Sequence, residues 1–350
     1  MRSQLDTWRN KYLVGRRVSP KTHQHMLESL LDEAELDYDY IVLTLSACLI
    51  ATFGLLSNSA AVIIGAMLVA PLMSPIRSVA FGILEGDIVL VKTGLKALAV
   101  GTGISIILSA LVGMSSGFLA YGSEVASRSS PTLLDLGIAI TAGGLSGYAK
   151  VQPRLSSTLA GTAIAVALMP PLCVIGLGIA QGNSSLTVGA SLLYLTNLLG
   201  ITLACMVAFF VAGYSPFSRA RRPLEVVIIL TGILILPLGI SLARLVRQQQ
   251  LEENVRKALV EDTVTFENLN MELVSSQTNW QVSPPRVYMV ANASELITPK
   301  QVGLLEDYIT RRMNQPFQFV FRVSEVEEVT KESSTPSAQP ELLPERVPID

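Results

Sequence analysis

Between Tyr40 and Leu245 the sequence carries seven apolar segments, each long enough to cross a hydrocarbon core of ~30 Å at about 1.5 Å per residue once tilt and short ends are allowed for. They run Tyr40–Leu56, Ser59–Leu84, Val91–Leu119, Leu133–Ala149, Ser156–Ala180, Leu186–Ala212 and Leu224–Leu245. Lipid offers no hydrogen bonds to the backbone, so such segments must become helices that satisfy their own amides. The expected fold is therefore a membrane all-α bundle of seven transmembrane helices. Half of the 350 residues are hydrophobic and only 15% are charged, and a mean hydropathy of +0.47 lies far from a soluble domain. A net charge of −2 gives no basic excess for nucleic acid. The lipid bilayer is the one partner that composition itself requires.

Two of these segments are interrupted in a matching way. "SNSAAVIIGAMLVAPLMSPIRS" (Ser57–Ser78) holds Pro71 and Pro75, and "SSTLAGTAIAVALMPPLCVIG" (Ser156–Gly176) holds Pro170 and Pro171. At an offset of 100 residues, Ser57, Ala60, Ile64, Leu68, Pro71 and Leu72 fall on Ser157, Ala160, Ile164, Leu168, Pro171 and Leu172. Three spans is an odd number, so two copies enter the membrane from opposite sides. Spans one to three and four to six then read as an inverted repeat with proline-broken second and fifth helices, the arrangement that surrounds midplane sites in secondary transporters. Each proline removes a donor and disturbs the preceding turn. Freed carbonyls must face protein, water or an ion. A kink that only improves helix packing is the alternative.

Loop charge sets the expected orientation. The N-terminal segment holds Arg2, Arg9, Lys11, Arg16, Arg17 and Lys21, and alternate loops hold Arg77, Lys92 and Lys96, then Lys150 and Arg154, then Arg219, Arg221 and Arg222. The opposite loops hold only Arg128. Positive charge stays inside, which puts the N-terminus in the cytoplasm and the C-terminal domain outside the plasma membrane. No apolar core of signal-peptide length occurs in the first forty residues. "HQHMLESLLDEAEL" is expected to form an amphipathic cytoplasmic helix with His23 and His25 exposed.

The candidate pathway residues are Asn58, Ser59, Pro71, Pro75, Arg77, Pro170, Pro171 and Asn197. Asn197 lies halfway along the sixth span, where a buried amide suits either a substrate contact or an interhelical hydrogen bond. Ser57 or Asn58 is expected to cap the second span. Arg77 either snorkels to the interface or points inward as a counter-charge for an anion. "TAGGLSG" (Thr141–Gly147) reads as close helix packing, and with "GMSSG" (Gly113–Gly117) it offers a contact for a homo-oligomer. Cys48, Cys173 and Cys205 lie in apolar runs without metal-site spacing, so neither a metal nor another cofactor is expected. An intramembrane hydrolase needs a nucleophile with a base, or paired aspartates. The spans contain no histidine and only Asp135, so the chain is not expected to be an enzyme.

"NSAAVIIGAMLVAPLMSPI" (Asn58–Ile76) resembles the signature of domain-of-unknown-function family 389, over roughly Tyr38–Gly213. "VRKALVEDTVTFENL" and "ITPKQVGLLEDYITRRMNQPF" resemble its cyanobacterial members. The resemblance implies a multipass membrane protein and carries no functional residues with it. The expected organisation is a cytoplasmic segment (1–38), a transmembrane domain (39–247), a small extracytoplasmic α+β domain (248–326) and a disordered acidic tail (327–350). The third part reads helix, strand, strand, helix, strand, from "LEENVRKAL", "TVTFENLNMELV", "RVYMVANA", "TPKQVGLLEDYITRRM" and "FQFVFRV". That order is similar to BON domains. A transporter or channel for an ion or small solute is the expected function; a membrane scaffold or sensor with a partner-binding outer domain is the alternative.

Overall fold

A computed structural model describes residues 18–116, 121–152, 168–262, 272–280, 282, 284–293 and 298–325. The basic first 17 residues, the first half of the fifth apolar segment (156–167), Gly117 and the acidic tail lie outside them. The chain divides into two compact units, Met1–Leu245 and Val246–Asp350.

The first unit opens with α1 (Pro20–Asp32), started by Ser19, whose hydroxyl accepts from the Thr22 amide, and by Pro20 in the first turn. It buries Met26 and Leu30. α2 (Tyr38–Leu56) begins where the Asp37 carboxylate accepts from the Tyr40 amide at 2.7 Å. α3 (Ala60–Val69) and α4 (Met73–Glu85) form a pair bent by 52°. α5 (Ile88–Ser115) spans 28 residues, and α6 (Ser123–Ser127) is a single short turn. α7 (Leu133–Val151) starts with a capping box in which Thr132 and Asp135 exchange bonds. Asp135 is thus a helix-start residue. α8 (Met169–Ala180) is a 12-residue apolar helix, α9 (Ser184–Val211) has 28 residues, and α10 (Phe217–Asp262) has 46.

Among the described residues four helices are long and apolar enough to cross a membrane, or five if the bent pair is one span. α7 matches α2 in length at 19 residues, but Asp135, Lys150 and its small polar residues leave it outside that group. α10 is the most lipid-exposed: Ile229, Ile233 and Leu236 are each more than 60% exposed on a helix with no polar face in that stretch. A helix apolar on all sides and unburied belongs in lipid.

Two connections share one construction. After α4, Gly86 adopts the left-handed conformation (φ 74°), the Asp87 amide bonds back to the Gly82 carbonyl at 2.9 Å, and the Asp87 carboxylate caps α5. After α8, Gly182 does the same (φ 65°), the Asn183 amide bonds to the Gly178 carbonyl at 2.9 Å, and the Asn183 side chain caps α9. Glycine is suited to both turns because a Cβ is disfavoured at positive φ. Gly82 and Gly178 lie against the first turn of the helix that follows, at Val91 and Thr187 respectively.

In the second unit, β1 (Glu272–Asn279), β2 (Arg286–Ala293) and β3 (Gln318–Glu325) form a sheet in that order, with α11 (Pro299–Met313) between the last two strands. β1 pairs antiparallel with β2, and β2 parallel with β3. The parallel pair needs the crossover that α11 supplies. Thr298 and Gln301 form a capping box before Pro299. Val255, Ala258, Met289, Ile309 and Phe319 build this unit's core. One expectation is corrected. "LEENVRKAL" continues α10 without a separate start, and the described part of the first strand runs Glu272–Asn279, while "TVTFENLN" lies outside the described residues.

Candidate functional site

The break in the second apolar segment is built by Pro71. Ala70 turns extended (ψ 122°), Pro71 and Leu72 make the turn, and α4 starts at Met73. Proline excludes the preceding residue from helical conformation and offers no amide of its own. Pro75 lies in the first turn of α4 and Pro170 and Pro171 in the first turn of α8, positions where a missing amide costs little. No side chain caps either α4 or α8.

Both helix starts reach the same stretch of α5. The Leu72 side chain lies against Gly101, where an added Cβ would stand 3.1 Å from its Cδ2. The Tyr40 hydroxyl occupies the same place and donates to the Ala97 carbonyl at 2.8 Å. One turn further on, Ser105 donates to the Gly101 carbonyl at 2.7 Å and lies 3.4 Å from the Met169 sulfur at the start of α8. The Cys48 thiol donates to the Ser105 carbonyl at 3.3 Å, and the Cys173 sulfur lies 3.8 Å from that of Cys48. From α9, the Tyr194 hydroxyl meets Thr102 at 2.7 Å. Asn197, three residues on from Tyr194, is 4% exposed. Small residues at 101 and 105 and hydroxyls at 102 and 105 make α5 the common wall against which both helix starts pack.

The interior is packed. Pro75, Pro170 and Pro171 are buried and Pro71 half-buried, among Leu72, Ile76, Met169 and Leu172. Gly143 and Gly147 on α7 meet α9 backbone to backbone, an added Cβ at Gly143 standing 2.6 Å from the Ile201 Cα, while Gly144 faces open space. The glycines of "TAGGLSG" serve this helix contact. The Cys205 thiol joins it by donating to the Gly143 carbonyl at 3.1 Å.

Sequence reasoning placed several side chains differently. Arg77, read as either snorkelling or pointing inward, donates its guanidinium to the Glu33 carboxylate at 2.9 Å and to Ser74 at 3.2 Å. Lys150, at the far end of α7, bonds the other oxygen of Glu33, and Ser29 at 2.7 Å. One carboxylate just past α1 thus joins the broken element and α7. α1 lies antiparallel to α4, with Ser78 donating to the Leu30 carbonyl at 2.6 Å and His23 meeting Glu85 at 3.1 Å. His23 is not exposed as expected; it packs against Phe81 and Tyr214, while His25 is exposed. Arg219 also reaches Glu85, at 3.1 Å. Burial pushes the Tyr214 phenol above its ordinary range, so it enters this cluster as a neutral ring.

Neither Ser57 nor Asn58 caps the segment it precedes. Asn58 takes the left-handed turn between α2 and α3 (φ 52°), and its carbonyl oxygen accepts from the Glu124 amide at 2.9 Å, capping α6 instead. Ser57 donates back to the Gly54 carbonyl, and Ser59 stands at the start of α3 without a side-chain bond. The Asn58 partner lies 66 residues away in the chain. Local pattern carries no signal for that contact.

Residues 67–203 match the family model described as Domain of unknown function (DUF389), the family that Asn58–Ile76 resembles. A relative, "Uncharacterized protein MJ0678" of Methanocaldococcus jannaschii, is 30% identical over 191 residues, which cover 55% of this chain and 59% of that protein. The chain therefore spans less than two thirds of that relative's length. No solved structure matches it.

Proposed function

We propose that the chain is a seven-span plasma-membrane protein whose spans one to three and four to six form an inverted pair, and that it moves an ion or small solute between the two proline-marked half-helices. The observation that carries this reading is the recurrence of one element order at a 95–96-residue interval. A 19-residue helix (Tyr38–Leu56; Leu133–Val151) precedes a half-helix starting at Met73 or Met169, a left-handed glycine at 86 or 182, an Asx cap at 87 or 183, and a 28-residue helix. This interval replaces the offset of 100 residues and pairs Pro75 with Pro171. Two half-helices starting on the same wall of α5 are the arrangement expected around a midplane site. In this reading the packed interior is an occluded state, with the clamp of α1 on the cytoplasmic side. No catalytic step is assigned, and the residues proposed to line the path are Pro71, Pro75, Pro170, Pro171 and Asn197.

Flux through purified protein in liposomes tests the proposal. Wild type should move at least one solute in a broad ion and solute panel. The double variant Pro71→Ala/Pro171→Ala, which restores an amide at the Ala70 break and removes the matching proline from the first turn of α8, should fold and lose most of that flux. Unchanged flux in a stable double variant would assign the prolines to packing alone. The dense packing at Pro75, Pro170 and Pro171 favours the second reading, a membrane scaffold whose outer domain binds an envelope partner. Absence of flux across the panel in wild type would select it.

A further inference from the structure

Where the first turns of α10 lean on α4, α5 and α9 the contact is incomplete. A cavity of about 520 Å³ remains, walled by Val79, Ile83, Leu95, Leu199, Val226 and Leu230. The hydroxyl of Thr202, which also borders it, is already donated to the Leu198 carbonyl at 2.7 Å. A water placed there would lack the two or more partners that hold buried water. An alkyl chain would lose nothing.

Arg222 stands at the mouth of this chamber and also lines a second one of about 500 Å³, whose other walls are Phe217, Ser218, Arg221 and Glu225. It is the one residue the two chambers share. Arg221 is bonded to Glu225 at 2.7 Å, and nearby Arg219 to Glu85. Among the described residues Arg222 has no hydrogen-bond or ionic partner. Two guanidiniums and one carboxylate leave the second chamber net positive. The chain turns apolar from Leu224 onward, so this arginine sits at the level where headgroups begin.

We propose that the two chambers form one site for an anionic phospholipid, with an acyl chain in the apolar chamber and the phosphate on Arg222 beside Ser218. An apolar slot continuous with a basic, polar pocket at a helix end is the combination that selects a lipid of this class over a free anion. The inference rests on the membrane location alone and stands whether or not the protein moves a solute.

The test uses full-length protein, purified and delipidated in detergent, with native mass spectrometry of bound phosphatidylglycerol and phosphatidylcholine of matched chains. Wild type should hold phosphatidylglycerol more tightly, and excess inorganic phosphate should not displace it. Arg222→Gln should weaken phosphatidylglycerol about fivefold, the loss of one interfacial cation, and bring it level with phosphatidylcholine; Arg222→Lys should restore the preference. Leu199→Trp, filling the apolar chamber, should weaken both lipids. Arg222 is exposed, so its substitution decides the matter even if Leu199→Trp fails to fold. Equal binding of both lipids by wild type, unchanged binding by Arg222→Gln, or displacement by phosphate would each overturn the proposal.

Discussion

Gly143→Val is expected to abolish most of the folded protein recovered in detergent, whereas Gly144→Val, one residue along the same helix, should leave recovery and melting temperature close to wild type. At Gly143 the first added carbon falls 2.6 Å from the Ile201 Cα, and backbone cannot step aside as a flexible side chain can. α7 must move off α9, which strands the Cys205 thiol now donated to the Gly143 carbonyl. Overpacking of this kind costs about 1–3 kcal/mol, and a backbone obstacle belongs at the upper end. At Gly144 nothing lies within 4 Å of an added Cβ. Fluorescence-detected size exclusion with a thermal ramp reads both variants. Equal behaviour of the two would contradict the α7–α9 contact.

Glu33→Ala has the second largest expected effect. It leaves Arg77 and Lys150 facing one vacated carboxylate site, with side chains only 20% and 11% exposed. Removing one partner of a buried pair costs about 3–5 kcal/mol; since Glu33 is itself 32% exposed, solvent screening reduces the expected loss to about 2 kcal/mol. Added salt should recover part of it, because the remaining interaction is a repulsion between like charges. Glu33→Gln, which keeps an acceptor oxygen, should lose less. Thermal unfolding at low and high salt measures this, and an Arg77→Gln partner variant should relieve Glu33→Ala.

Much of the architecture was legible because membranes leave few solutions. Apolar length located the helices between Tyr38 and Leu56 and between Ser184 and Val211, and Pro71 marked its break to the residue. Thr298 and Pro299 announced α11 through local capping chemistry. An offset read from apolar residues alone is loose, because small apolar residues align with one another at several offsets. The turn pair Gly86–Asp87 and Gly182–Asn183 is the sharper marker, since positive φ and an Asx cap restrict residue choice where apolar runs do not. The contacts of Arg77, His23 and Asn58 were hidden for a different reason. Their partners Glu33, Glu85 and Glu124 lie 44 to 66 residues away, and only the folded chain brings them together. The continuation of α10 past Leu245 was hidden by the change from apolar to polar surface, which alters a helix's surroundings without ending it.

Sidedness of the two equivalent turns tests the central claim most directly. In a variant lacking the three buried cysteines, single cysteines at Asp87 and Asn183 would be probed in intact cells and in inside-out vesicles with a membrane-impermeant maleimide. The proposed inverted pair predicts that position 87 labels only from the cytoplasmic face, together with position 219, and position 183 only from the outer face, together with position 301. Labelling of positions 87 and 183 from the same face would contradict it.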